Sequence, residues 1–242
     1  MTMPIDATAT TIVSAFDNVP AFAKGLVRDL RVRWALEEIG RGYALHYLDA
    51  MEAKPEAYLD WQPFGQVPAF DDGQVRLFES GAILLYLGEQ DERLLPRDPA
   101  RRWSATSWLL AALNSVEPSL MQFASLDFSL AGQPWAEQAR PVFTEMALRK
   151  LRSTDAALGD REWFAGPFSI ADIMMASVLR NVDHTDILSG FPALTAFKAR
   201  TEARPAFRQA LADQFAGFRE PARAQEEPRL DAVPAFHTRS YS

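Results

Sequence analysis

The 242-residue chain contains no cysteine. This absence excludes disulfide bonds, cysteine-based metal sites and any reaction that uses a cysteine of the protein as its nucleophile. No apolar run approaches the roughly 18 residues that a membrane-spanning helix needs, and no charged and then apolar leader opens the chain. We therefore expect a cytoplasmic protein that has no membrane partner.

Positive charge is in deficit, and histidine is rare. Lys and Arg number 25 against 32 Asp and Glu, which gives a formal net charge of −7. Because phosphate binding requires a basic face, we do not expect nucleic acid as a partner. The local exception is Arg28, Arg31 and Arg33, of which we expect Arg31 and Arg33 to lie on a solvated helix face. The 3 histidines show no metal-binding spacing, so we expect no metal.

The first third of the chain alternates strand and helix patterns. Residues 11–16 and 43–48 have the β-branched and apolar content of strands. Between them, residues 28–39 repeat apolar side chains at helical spacing until Gly40. A short helical patch at 54–58 precedes two further short strands and a helix. The order β-α-β-α-β-β-α is the thioredoxin-like arrangement.

The most informative segment combines Val67-Pro68 with Glu79-Ser80. Proline cannot donate to a sheet ladder, so Pro68 must begin its strand or lie at an exposed edge. A cis bond before Pro68 would turn the Val67 N–H and C=O outward, where an extended peptide could pair with them. Glu79 and Ser80 begin a helix whose free N–H groups attract a carboxylate. A plain helix cap is the alternative interpretation of this pair.

The rest of the chain is helical in pattern. Residues 90–99 are charged, contain two prolines and are typical of a linker. Ser169 and Asp172 have the spacing of a reciprocal capping box with a structural role. A lead at 1–10 and a tail from Glu220 are expected to be disordered or extended. The predicted helices are 101–131 with a bend at Pro118, 134–158, 169–183, 192–204 and 205–215.

Three motifs in this order resemble the cytosolic glutathione transferases. They are the first helix Arg31-Val-Arg-Trp-Ala-Leu-Glu-Glu-Ile-Gly40, the Val67-Pro68 and Glu79-Ser80 pair, and Phe168-Ser-Ile-Ala-Asp-Ile173. The resemblance covers most of the chain without assigning a class. It implies a thioredoxin-like domain at 1–90, a linker at 91–100, an all-helical bundle domain at 101–242 that ends in an extended tail, and a homodimer.

The resemblance also implies how glutathione, the co-substrate, would bind. Ser80 and its N–H would hold the γ-glutamyl carboxylate, and Glu79 would face the amine. The Val67 backbone would pair with the cysteinyl unit, through a cis bond to Pro68. Gln66 would lie near the glycyl carboxylate.

The catalytic position departs from the family pattern. The family uses a Tyr, Ser or Cys near the start of the first helix to stabilise the glutathione thiolate. Here an insertion at 17–25 follows the first strand, and the usual Ser or Cys positions hold Arg28 and Asp29. Arg28 could favour a thiolate by its charge at a helix N-terminus, or it could form only an ion pair. Asp29 would be a helix cap or the partner of Arg28, and both alternatives for Arg28 stay open.

The resemblance implies an electrophile pocket between the two domains, along the first part of the long helix. We expect Trp108, Glu117 and Met121 in its wall, with Leu113 and Phe123. The leading prediction is an enzyme that joins the glutathione thiolate to a small, mostly apolar electrophile. The alternatives are a non-catalytic ligand-binding or protein-interaction protein, and a glutathione-dependent peroxidase or isomerase.

Overall fold

The structure is a computed structural model that describes residues 4–219. Its sheet contains β1 (Ile12–Asn18), β2 (Ala44–Asp49), β3 (Ala69–Asp71) and β4 (Arg76–Phe78), in the order β2-β1-β3-β4. Strand β1 runs parallel to β2 and antiparallel to β3, and β3 runs antiparallel to β4. The helices of this part are α1 (Asp29–Ile39), α2 (Glu56–Leu59) and α3 (Ser80–Gln90). The predicted thioredoxin-like arrangement is confirmed.

The second part of the chain is helical, as predicted. Its helices are α4 (Pro99–Ala111), α5 (Glu117–Ser125), α6 (Ala136–Leu158), α7 (Ile170–Leu179), α8 (Pro192–Glu202) and α9 (Pro205–Ala216). Within residues 4–219, no helix combines the length and apolar character that are needed to cross a bilayer.

The helix predicted at 101–131 with a bend at Pro118 is indeed irregular directly before Pro118, but it ends earlier than predicted, at Ser125. Helices α4 and α5 are separated by a π-helical segment, Ala112–Val116, directly before Glu117 and Pro118. Proline lacks an N–H, and its ring clashes with the carbonyl four residues earlier in a regular α-helix. The wider π turn accommodates Pro118, and such turns are frequent at functional sites.

The beginning of the described chain differs from the prediction. Residues 4–9 are not a loose lead, because the Asp6 N–H donates to Tyr43 O at 2.9 Å and Ile5 bridges to Tyr43. The tail predicted from Glu220 lies outside the described residues. In the connection, Leu94 and Leu95 are buried in the core. The domain limits at 90 and 101 stay a prediction.

The predicted capping box is present at the start of α7. The Ser169 N–H donates to Asp172 Oδ2 at 2.9 Å, and the Ala171 N–H donates to Ser169 Oγ at 3.3 Å. The second carboxylate oxygen of Asp172 accepts from the Phe164 N–H at 3.0 Å. Burial raises the pKa of Asp172 to about 6 in spite of these bonds. The box is structural, as the sequence predicts.

Helix α9 packs along α1 and holds the insertion that follows β1. The Gln214 amide donates to Val27 O at 3.0 Å and to Asp29 Oδ1 at 2.7 Å. Just beyond the helix, Arg219 Nε donates to Asp17 Oδ2 at 2.8 Å. The position of the insertion is therefore set by the C-terminal end of the helical part.

Candidate functional site

Helix α3 begins at Ser80 with an uncapped N-terminus. The preceding Glu79 has φ of 70° and makes no side-chain cap bond. A side-chain-bearing residue in this left-handed region is strained, and such strain is concentrated at functional sites. The first N–H groups of a helix have no partner within it. The start of α3 can therefore bind an anion.

Arg31 lies beneath this helix start, and its prediction as a solvated residue is wrong. It is 3% exposed, and its Nη1 donates to Ser80 Oγ at 3.2 Å. Its Nη2 donates to Glu117 Oε1 at 2.7 Å. The partner that permits burial comes from α5, 86 residues along the chain. Because Ser80 Oγ accepts from Arg31, the Ser80 proton is free to be donated to a carboxylate.

Arg33 is also buried rather than solvated. Its Nε donates to Asp29 Oδ2 at 2.6 Å, and both side chains are at most 1% exposed. Burial raises the pKa of Asp29, and the charge of Arg33 opposes this effect. Asp29 is therefore the partner of Arg33 and Gln214 rather than of Arg28. This buried ion pair fixes the first turn of α1.

Arg28 stands at the start of α1 and shares the carboxylate of Glu117. Its Nε and Nη2 donate to Glu117 Oε1 at 3.2 Å and 3.0 Å. Burial works against the charge of Glu117, but Arg31 and Arg28 outweigh it and hold the pKa of Glu117 below its ordinary value. The Arg28 side chain is 43% exposed, and its Nη1 has no hydrogen-bond partner within residues 4–219. Arg28 thus forms an ion pair, one of the two alternatives, with Glu117 rather than Asp29, and its Nη1 stays unpaired.

The Val67–Pro68 peptide bond is cis, which confirms the prediction. No hydrogen bond among residues 4–219 involves the Val67 N–H or C=O, so both groups are unpaired in this part of the chain. On either side, Tyr58 donates to Gln66 O at 2.5 Å, and the Ala69 N–H donates to Ser14 Oγ at 2.6 Å. The flanking residues are therefore fixed while the Val67 backbone stays unpaired.

Two concavities meet at Arg28. We call the first the Met121 cavity. It has a volume of about 300 Å³ and its lining includes Phe22, Leu26, Arg28, Glu117, Met121, Phe128 and Asn181. We call the second the Val67 groove. It has a volume of about 280 Å³ and its lining includes Phe16, Leu26, Arg28, Ala50, Gln66 and Val67. A ligand in the groove and a ligand in the cavity would be neighbours across Arg28.

The predicted pocket residues fall in different places. Glu117 and Met121 line the Met121 cavity. Trp108 lies elsewhere, with its ring 4.7 Å from that of Phe164 in the helical core. This residue belongs to the face of α4 that packs on the helical part, and aromatic residues at helical spacing are usually core.

The sequence prediction missed Phe22 as a cavity residue. Phe22 belongs to the insertion, and its ring stacks on Phe128 with centroids 4.6 Å apart and planes at 12°. Two further residues of the insertion are engaged elsewhere: Asn18 donates to Asp49, and Lys24 lies over the Phe218 ring. Within residues 4–219, no group of three His, Asp or Glu side chains is placed to hold a metal ion.

Comparison with known proteins gives matches along most of the chain. The family model "Glutathione S-transferase, N-terminal domain" matches residues 17–89, and "Glutathione S-transferase, C-terminal domain" matches residues 120–214. A glutathione S-transferase of Hyoscyamus muticus is 29% identical over 174 residues, which are 68% of this chain and 82% of that protein. The probable glutathione S-transferase GSTF2 of Oryza sativa is 30% identical over 181 residues, which are 70% of this chain and 84% of that protein.

Solved structures give the same result. A glutathione transferase from Burkholderia graminis, with two glutathione molecules bound per subunit, superposes with a TM-score of 0.73. It is 26% identical, and the match covers 88% of this chain and 89% of that chain.

We predict that Glu117→Gln destabilises the protein strongly. The change leaves Arg31 buried without its counter-charge, and breaking a buried pair in this way typically costs about 3–5 kcal/mol. Urea unfolding followed by circular dichroism measures the free energy of unfolding. The matched control is Glu145→Gln, because the Glu145–Arg152 pair is more than half exposed and should contribute about 0–1 kcal/mol. Equal losses in the two variants would contradict the stabilising role of Glu117.

Proposed function

Because the chain belongs to the glutathione transferase family, we propose that it binds glutathione and joins its sulfur to a small, mostly apolar electrophile. The observation that carries the proposal is the position of Arg28, which lines both the Val67 groove and the Met121 cavity. Glutathione in the groove would bring its sulfur to the mouth of the cavity. The glutathione bound in the Burkholderia graminis structure supports this ligand.

In this proposal the γ-glutamyl end of glutathione lies at the start of α3. Its carboxylate accepts from the Ser80 hydroxyl and the free helix amides, and the charge of Arg31 lies directly behind Ser80. The exposed carboxylate of Glu79 faces the amine. The negative γ-glutamyl carboxylate would thus meet the positive end of α3, and the positive amine would meet the carboxylate of Glu79.

The remainder of the tripeptide follows the Val67 groove. The cysteinyl unit pairs with the free N–H and C=O of Val67 in the manner of an added strand. Beyond it, Gln66 is exposed and can donate its side-chain amide to the glycyl carboxylate. The sulfur then points away from the groove toward Arg28.

Arg28 stabilises the thiolate in this proposal. In the first turn of α1, the Leu30 N–H donates to Val27 O at 3.1 Å, and the Arg31 N–H donates to Arg28 O at 3.2 Å. These two amides are engaged, and Nη1 of Arg28 is a cationic donor without a partner among residues 4–219 that can donate to sulfur. A guanidinium beside a thiol lowers the thiol pKa by favouring its charged form.

The electrophile occupies the Met121 cavity, whose apolar lining includes Phe22, Met121 and Phe128. The thiolate sulfur forms a bond to the electrophilic carbon. Either a leaving group departs with its electron pair, or the carbon's π electrons move to a neighbouring atom that then takes a proton. Holding both reactants across Arg28 supplies the proximity effect.

We also propose a homodimer that uses the face carrying α3 and α4. The Phe64 and Phe78 rings lie 6.2 Å apart and are both exposed. On α4, Trp103 is 66% exposed and Leu110 is 45% exposed. Exposed apolar surface of this kind is typical of an interaction site, and a two-fold axis would pair it with its copy.

We predict that glutathione binds and that Ser80→Ala weakens its binding. Losing a hydrogen bond to a charged group typically costs about 1.5–3 kcal/mol, so the Kd should rise roughly tenfold or more. Isothermal titration calorimetry gives the Kd of each protein. Ser153→Ala, at an exposed position of α6, should leave the Kd unchanged. A wild-type protein that shows no heat and no thermal shift with glutathione would refute the proposed ligand.

We predict that Arg28→Ala raises the thiol pKa of bound glutathione. The ultraviolet absorbance of the thiolate, titrated against pH, measures this pKa directly. Conjugation of benzyl bromide should slow by roughly tenfold or more near neutral pH and recover at high pH, where the thiol ionises without help. Arg28→Lys should retain part of the effect, and Arg152→Ala should change nothing. An unchanged thiol pKa in Arg28→Ala would favour the non-catalytic alternative or a different donor.

We predict a dimer in solution. Light scattering should give twice the chain mass of 27.0 kDa for the wild type. Trp103→Glu should shift the mass toward a single chain, because it places a charge on the proposed interface. The matched control is Trp135→Glu, at another exposed tryptophan near the start of α6, which should stay dimeric. A wild-type mass near 27.0 kDa would exclude the dimer.

A further inference from the structure

One amide from the last helix holds both chain neighbours of Arg28. Gln214 belongs to α9 and is 1% exposed. Its Nε2 donates to Val27 O at 3.0 Å and to Asp29 Oδ1 at 2.7 Å. These acceptors stand on either side of Arg28 in the sequence, 187 and 185 residues before Gln214. A single side chain of α9 therefore bridges the segment that carries Arg28.

The two bonds require an amide and set its orientation. An amide nitrogen carries two N–H groups, and each of them meets one acceptor here. The opposite orientation would place the amide oxygen against the Val27 carbonyl and the Asp29 carboxylate, both of which accept. The oxygen, Gln214 Oε1, is buried and has no hydrogen-bond partner among residues 4–219. The bonds to Val27 and Asp29 are thus the only hydrogen bonds of this side chain in the described residues.

The Arg28 side chain is anchored at its other end by Glu117. Its Nε and Nη2 donate to Glu117 Oε1, but the side chain is 43% exposed. A long exposed side chain has many accessible rotamers, so one ion pair alone leaves its direction loosely determined. Gln214 holds the residues that flank Arg28, and Glu117 holds the guanidinium. The side chain is therefore held at both ends.

The effect of Arg28 on a thiol depends on where its guanidinium stands. A hydrogen bond weakens when its length or angle departs from the optimum. Movement of residue 28 would therefore weaken a bond from Nη1 to sulfur even though the guanidinium keeps its charge. Gln214 is neutral, so an uncharged replacement alters the geometry around Arg28 and leaves the charge of the protein unchanged.

We propose that Gln214 is a positioning residue for the thiolate. It holds Val27 and Asp29 so that Arg28 Nη1 is directed at the glutathione sulfur. This inference rests on the proposed function and adds to it a contribution from α9, which lines neither the Val67 groove nor the Met121 cavity. Gln214 therefore acts through Arg28 and not by touching a reactant.

Gln214→Met tests the inference, because methionine has nearly the same length and no donor. The ultraviolet absorbance of the thiolate, titrated against pH, gives the thiol pKa of bound glutathione. This pKa should rise, and conjugation of benzyl bromide near neutral pH should slow by about three- to tenfold, the range of one ordinary hydrogen bond. Below the thiol pKa, the Kd of glutathione from isothermal titration calorimetry should stay at the wild-type value, because the contacts of Ser80 and Val67 are unchanged.

The matched control is Gln209→Met on the same helix. Gln209 is exposed, and its Nε2 donates to Asp213 Oδ1 at 3.0 Å, so this variant loses a solvent-facing hydrogen bond of α9. Its thiol pKa and conjugation rate should match the wild type. Gln214→Asn is a polar second variant that is one methylene too short to reach both acceptors. It should shift the thiol pKa in the same direction as Gln214→Met, and it serves where Gln214→Met does not fold.

A double variant separates positioning from general destabilisation. In Arg28→Ala no guanidinium is left to direct, so adding Gln214→Met should not move the thiol pKa further. A merely structural role would lower the free energy of unfolding in both backgrounds and leave the thiol pKa unmoved in each, which would overturn the inference. An equal rise of the thiol pKa with and without Arg28 would overturn it as well.

The outcomes also distinguish this inference from the proposed function. A thiol pKa that rises in Arg28→Ala but stays at the wild-type value in both Gln214 variants would overturn the role of Gln214 alone. An unchanged thiol pKa in Arg28→Ala would overturn the role of Arg28 and the inference with it. Absence of glutathione binding by the wild type would overturn the proposed function together with the inference.

Discussion

One carboxylate oxygen joins the two parts of this fold at the place where both cavities meet. Glu117 Oε1 accepts from Arg31 at 2.7 Å and from two nitrogens of Arg28 at 3.0 Å and 3.2 Å. Both arginines belong to the start of α1, and the carboxylate belongs to the start of α5. A buried charge requires a partner, so this pairing fixes the relative position of the two helices. The π turn before Pro118 brings Glu117 to that point.

The parts of the site that follow from local chemistry could be predicted from the sequence. A proline after Val67 and a Glu-Ser pair before an apolar helix restrict the backbone whatever the distant chain does. The capping box of Ser169 and Asp172 is local for the same reason. These signals predicted the start of α3 and the start of α7, whereas the cis bond was predicted from the family resemblance, and the structure confirms all three.

The parts that depend on distant pairing could not be predicted. An arginine on a helix is exposed by default, and Arg31 is buried only because Glu117 lies 86 residues further along the chain. Phe22 joins the cavity because Phe128, on another part of the fold, stacks on it. Trp108 has the spacing of a pocket residue, but Phe164 covers its ring. No local pattern distinguishes these cases, since each one depends on tertiary packing.

The charge balance around Glu117 explains why two arginines are needed at one carboxylate. A single arginine would be neutralised by Glu117 and would leave little positive charge for a ligand. With two, each arginine keeps a donor directed elsewhere: Arg31 Nη1 on Ser80 Oγ, and Arg28 Nη1 without a protein partner among residues 4–219. In the proposed function these two donors face the two anionic groups of glutathione that matter most for the reaction, the γ-glutamyl carboxylate and the thiolate. The carboxylate of Glu117 then orients both cations and cancels only one of their two charges, while Glu79, whose charge also acts on Arg31, faces the amine of the ligand.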